Sequence, residues 1–89
     1  MLRREPDRLA ARLNAARLRI ETGDLEGAER DLMRARALAP RSPRPIVLLA
    51  SVELRRGNEV AARSLVEEAL GIAPDDAEAR EVARQVGVR

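Results

Sequence analysis

The chain has 89 residues, enough for one small domain, and its 17 arginines against 15 acidic residues leave a net charge of +2. The absence of Cys and His excludes disulfides and nucleophilic catalysis of the Ser–His or Cys–His kind, and it argues strongly against a structural zinc site. The absence of aromatic residues removes the rings on which nucleic-acid bases stack. We therefore expect no enzyme, no metal site and no cofactor.

Helix-forming residues dominate the chain, with 16 Ala and 12 Leu. Glycine and proline divide it, because proline favours helix starts and the loops after helices, and glycine accepts the left-handed conformation that ends a helix. Gly23 and Gly57 are read as such ends, followed at once by Asp24 and Asn58 as N-caps. We predict five helices, near residues 8–21, 25–38, 43–56, 59–72 and 75–86.

The chain repeats itself with a period of 34 residues, and this spacing relates Pro6, Pro40 and Pro74. The same shift relates small or apolar residues of the predicted helices, among them Ala16 and Ala50, Ala28 and Ala62, Leu32 and Val66, and Ala35 and Ala69. The predicted division is a remnant of a preceding unit or a disordered start at 1–6, repeat one at 7–40, repeat two at 41–74, and a capping helix with a tail at 75–89. Residues Asp75 and Glu78 have the spacing of a capping box for that last helix.

A 34-residue helix–turn–helix unit with small residues at fixed places and a closing proline resembles the tetratricopeptide repeat. The resemblance implies an all-α fold, a right-handed α-solenoid of antiparallel helix hairpins. The chain departs from the family where large apolar or aromatic residues are usual: Arg12 and Ile46 stand at one such position, Arg19 and Glu53 at another. These departures predict a thin core.

The resemblance also implies a concave groove lined by the first helix of each unit. Its predicted lining residues are Leu13, Arg17, Ile20, Glu21, Arg44, Val47, Ser51, Leu54 and Arg55, with Glu78, Glu81 and Gln85 from the capping helix. Apolar side chains edged by guanidinium groups favour a peptide with apolar anchors and carboxylates. The predicted function is a non-catalytic protein–protein interaction module. The opposing interpretation is that the apolar residues are core and the arginines are solvated.

Two other functions remain open. Residues 1–44 carry 11 arginines against 7 acids, and residues 45–89 carry 6 against 8. This asymmetry favours head-to-tail or antiparallel contacts between chains, as in a self-associating or designed scaffold without a dedicated ligand. An electrostatic nucleic-acid binder is less favoured, because acids interrupt the arginine cluster formed by Arg30, Arg34, Arg36, Arg41 and Arg44. Arg80 and Arg84 match only one element of the carboxylate clamp known in some relatives.

The sequence shows neither a long apolar run nor a signal peptide, so we expect a cytoplasmic protein or part of a larger one.

Overall fold

A computed structural model describes the backbone of residues 5–87 and the side chains of residues 8–87. This part of the chain forms five helices: α1 (Glu5–Thr22), α2 (Leu25–Leu38), α3 (Pro43–Arg56), α4 (Glu59–Ile72) and α5 (Ala77–Val86). The predicted bounds of α2, α3 and α4 are confirmed. Helices α1 and α5 begin at Glu5 and Ala77, whereas their predicted starts were residues 8 and 75.

Helix α1 begins at Glu5, three residues before its predicted start, and Pro6 lies in its first turn. A proline is tolerated there because the first backbone N–H groups of a helix have no intrahelical acceptor to lose. Residues 1–4 of the predicted remnant lie outside the described residues. Helix α5 begins at Ala77 because Asp76, not Asp75, is its N-cap and accepts a hydrogen bond from the Ala79 N–H at 2.9 Å.

The five helices form two hairpins and a cap. Helix α1 pairs with α2 and α3 with α4; α2 then packs on α3 and α4 on α5, while α1, α3 and α5 lie side by side. One core cluster joins repeat one to α3 and the other joins α3 and α4 to α5. The result is an elongated helical solenoid of 46 × 28 × 18 Å.

The predicted helix ends at glycine are confirmed. Gly23 and Gly57 have φ of 92° and 85°, and the N–H of the residue after each reaches back to a carbonyl five residues earlier. Of the two N-caps predicted after these glycines, only Asp24 makes the capping bond, to the Gly27 N–H at 3.0 Å. The Asn58 amide instead donates to Glu53. Ser42 precedes α3 and makes no side-chain cap.

Charged residues in repeat one stand where repeat two has apolar ones. Leu65 packs against both core clusters, whereas Asp31, at the same place in repeat one, pairs with Arg19 at 2.9 Å. Ile46 is fully buried, whereas its counterpart Arg12 is only partly covered, and its Nε is buried with no hydrogen-bond partner among the described residues. Repeat one thus replaces apolar packing by ion pairs and one unsatisfied donor.

Gly57→Ala should lower the free energy of unfolding by about 1 kcal/mol, because a Cβ disfavours the left-handed conformation. Gly71 lies inside α4 at ordinary φ, and a Cβ there would meet nothing within 4 Å. Gly71→Ala should therefore raise stability by about 0.5 to 1 kcal/mol. Urea unfolding followed by circular dichroism measures both changes. If both variants changed the free energy of unfolding in the same direction, the assignment of Gly57 as a helix C-cap would be contradicted.

Arg12→Ile should stabilise the protein by about 1 kcal/mol, because it removes a buried donor that lacks an acceptor and restores the residue found in repeat two. Arg8→Ile is the matched control, since Arg8 lies one turn earlier on α1 and is exposed. The control should change stability by less than about 0.5 kcal/mol. A gain for Arg12→Ile no larger than that of the control in the same urea titration would refute the prediction.

Candidate functional site

The groove positions lie on α1, α3 and α5, the three helices that run side by side. A cavity of about 280 Å³ opens between them. It is lined by Arg17, Ile20, Glu21, Leu48, Ser51, Leu54, Arg55, Glu78 and Gln85. We call this the central cavity. Its floor is apolar, and its rim carries charges of both signs.

A second cavity, of about 340 Å³, lies toward the start of α1. It is lined by Leu9, Ala10, Leu13, Asn14, Arg17, Ser42 and Arg44, and we call it the outer cavity. Its surface is mostly apolar, with an amide, a hydroxyl and two guanidinium groups at the edge. Arg17 lines both cavities, so the two are neighbours along one concave face.

An ion cluster stands between the two cavities. Arg17 Nη2 lies 2.9 Å from Glu78 Oε2 and donates to Glu78 Oε1 at 3.1 Å. Arg44 Nη1 lies 3.7 Å from Glu78 Oε1. The side chains remain 40, 52 and 30% exposed for Arg17, Arg44 and Glu78 respectively. One carboxylate on α5 thereby links guanidinium groups of α1 and α3.

Most of the predicted lining residues meet in these two cavities. The central cavity contains Arg17, Ile20, Glu21, Ser51, Leu54, Arg55, Glu78 and Gln85, and the outer cavity contains Leu13, Arg17 and Arg44. Val47 does not belong to the lining, because it is completely buried in the core between α3, α4 and α5. Glu81 is exposed outside both cavities and pairs with Arg84 on its own helix.

The sequence pattern missed five lining residues. Leu48 lines the central cavity, and Leu9, Ala10, Asn14 and Ser42 line the outer one. Leu48 precedes Ser51 and Arg55 by three and seven residues, so it continues their helical stripe, and that spacing was the available signal. The same stripe on α1 joins Asn14 to Arg17.

The remaining charged networks lie away from the groove. Arg36 pairs with Glu68, linking α2 to α4, and Arg56 pairs with Glu29 at 3.0 Å, linking α3 to α2; this contact raises the pKa of Arg56. The Gly27 N–H and the Arg19 guanidinium lower the pKa of Asp24, and the Asp24 and Asp31 carboxylates raise that of Arg19. These pairs hold the hairpins in register.

The arginine cluster that suggested nucleic-acid binding, from Arg30 to Arg44, is partly neutralised in the structure. Arg36 is paired with Glu68, and Arg44 lies near Glu78. Neutralised guanidinium groups release fewer counterions on binding phosphate.

Residues 5–87 contain no helix long and apolar enough to cross a membrane. In the same range, no group of three or more His, Cys, Asp or Glu side chains is placed to hold a metal ion.

Stacked helix hairpins with a shared concave face define an α-helical repeat protein. The model of the tetratricopeptide repeat family matches residues 23–86, and the chain belongs to this family. Tetratricopeptide repeats are generally protein–protein interaction modules and are typically non-enzymatic. Comparison with curated proteins and with solved structures gave no significant match.

Proposed function

We propose that the chain is a non-catalytic interaction module that binds a peptide or partner helix along α1, α3 and α5. The observation that carries the proposal is the pair of neighbouring cavities that share Arg17 on this face. Ligand sites are typically concave and mostly apolar, with a few polar groups that set orientation. The outer cavity has this composition, whereas six of the nine residues that line the central cavity are polar or charged around an apolar floor.

The chemistry of the lining favours a ligand with apolar anchors and at least one carboxylate. Leu54 on the floor of the central cavity is only half-buried, and Leu9 plays the same part in the outer one. Arg55 lines the central cavity and has no ion pair with any other described residue. Guanidinium groups bind carboxylates through parallel hydrogen bonds, so Arg55 and Arg17 are the proposed carboxylate contacts.

Selection from a displayed library of random 12-residue peptides tests this proposal. We expect recovered peptides to combine Leu, Ile, Val or Met with Glu or Asp. Fluorescence anisotropy should show at least tenfold weaker binding to the double variant Arg17→Ala, Arg55→Ala, since both proposed carboxylate contacts are lost.

The matched control is Arg34→Ala, because Arg34 is an exposed arginine of α2 that lines neither cavity. It should bind within about twofold of the unaltered protein, as expected for a surface charge remote from the site. Equal losses of affinity in both variants would show that the peptide is attracted by the overall charge and not bound at the two cavities. Failure of the library to yield any binder would refute the proposed function.

A second candidate, self-association, is favoured by a face of α1 that no other described helix covers. On α3 and α5 the face turned toward the preceding helix is buried, and Val52 and Val86 on it are 0 and 3% exposed. Leu18 is the counterpart on α1 and is 61% exposed, next to the exposed Ala11 and the half-buried Ala15. A second copy that covers this face would bury the same kind of surface that α2 and α4 cover elsewhere.

Sedimentation velocity across about 5 to 500 µM tests the second candidate. The protein should shift toward a dimer as concentration rises, and Leu18→Gln should weaken the shift because it removes the central apolar contact. Val60→Gln is the control, since Val60 on α4 is still more exposed but lies outside the α1 face. A strict monomer throughout the series would exclude this candidate.

A further inference from the structure

The carboxylate of Glu78 already pairs with Arg17, one of the two proposed carboxylate contacts, and lies near Arg44 as well. Its two oxygens lie 2.9 and 3.1 Å from Arg17 Nη2, and Arg44 Nη1 is 3.7 Å from one of them. Each cavity has two members of the cluster in its lining, Arg17 with Glu78 in the central one and Arg17 with Arg44 in the outer one. The cluster therefore forms the partition between them.

We propose that Glu78 is an internal competitor, which a carboxylate of the bound peptide displaces from Arg17 and Arg44. This inference rests on the proposed function and states which peptide the groove takes: one whose carboxylate is flanked on both sides by apolar side chains. The carboxylate replaces Glu78 in the cluster, and the apolar neighbours fill the central and the outer cavity. Binding then joins two cavities into one continuous groove.

The cluster is placed so that an incoming carboxylate can compete with it. All three side chains are part exposed, with Arg44 more than half so, and ion pairs of that exposure contribute little to stability. Glu78 sits in the first turn of α5, where its charge keeps the favourable interaction with the helix N-terminus after it leaves Arg17. Displacement therefore leaves neither an uncompensated buried charge nor a broken helix.

A purely structural role for Glu78 makes a different prediction. If the ion pair served only to hold α5 at a fixed distance from α1 and α3, its removal would alter the groove for every ligand alike. A competitor affects only ligands that carry a carboxylate. The two roles are thus separable by comparing a Glu-containing peptide with its Gln analogue.

The experiment measures anisotropy of a fluorescein-labelled peptide from the selection above that contains one Glu, and of its Glu-to-Gln analogue. Glu78→Gln should bind the Glu peptide about three- to tenfold tighter than the unaltered protein at low salt, with the gain shrinking in 0.5 M NaCl. The Gln analogue should bind both proteins equally. Circular dichroism and urea unfolding establish that the variant is folded.

Asp75→Asn is the matched control, because it also removes one negative charge near the start of α5 but Asp75 is fully exposed and contacts neither Arg17 nor Arg44. The affinity of the Asp75→Asn variant for the Glu peptide should stay within about twofold of that of the unaltered protein. Unchanged or weaker binding of the Glu peptide to Glu78→Gln, or an equal change for both peptides, overturns the competitor role while the proposed function stands. Selected peptides without any acidic residue overturn it as well, and a library without binders refutes the proposed function itself.

Discussion

The structure depends on close approach between helices that cannot bury their apolar faces alone. Six alanines at repeat-related places, Ala16, Ala28, Ala35, Ala50, Ala62 and Ala69, are completely buried where hairpins meet. A larger side chain at such a contact would push the helices apart, and a polar one would lack a partner. Because each unit packs only on its neighbours, this constraint repeats along the chain and fixes the side-by-side placement of α1, α3 and α5.

Because alanine and other apolar residues fill the helix contacts, the arginines and acidic residues lie at the surface. Among residues 8–87 no polar side chain is buried as a whole, and the ion pairs between elements lie on the outside of the apolar clusters. Each such pair contributes modestly to stability, so their main effect is to select one register of neighbouring hairpins. Arg36 with Glu68 and Arg56 with Glu29 do this away from the two cavities, and Glu78 with Arg17 does it between them.

The sequence predicted the inner helices well because their ends are local events. Gly57 needs only its own positive φ, and Pro43 only its own place in the first turn, so neighbours in sequence suffice to place them. Pro6 lies in the first turn of α1, whereas Pro40 and Pro74, which share its repeat spacing, lie in the turns after α2 and α4. Proline suits both places. The repeat spacing alone could not decide between the two.

Most of the residues that line the two cavities were predicted from the sequence. The mistaken predictions concern residues whose surroundings are set by tertiary packing. Val47 shares its face of α3 with groove residues, but it is buried in the cluster that α3 forms with α4 and α5. Whether such a boundary residue faces the core or the groove depends on how those helices pack, which no pattern within α3 reveals. The Glu78 contact spans 61 residues of sequence, so no local pattern reveals it. In the proposed competition the same contact couples stability to binding, because the carboxylate that ties α5 to α1 and α3 would have to leave Arg17 when a ligand carboxylate binds. Stronger internal pairing would then stabilise the packing of α5 and weaken ligand binding together, the trade between stability and function that binding sites commonly show.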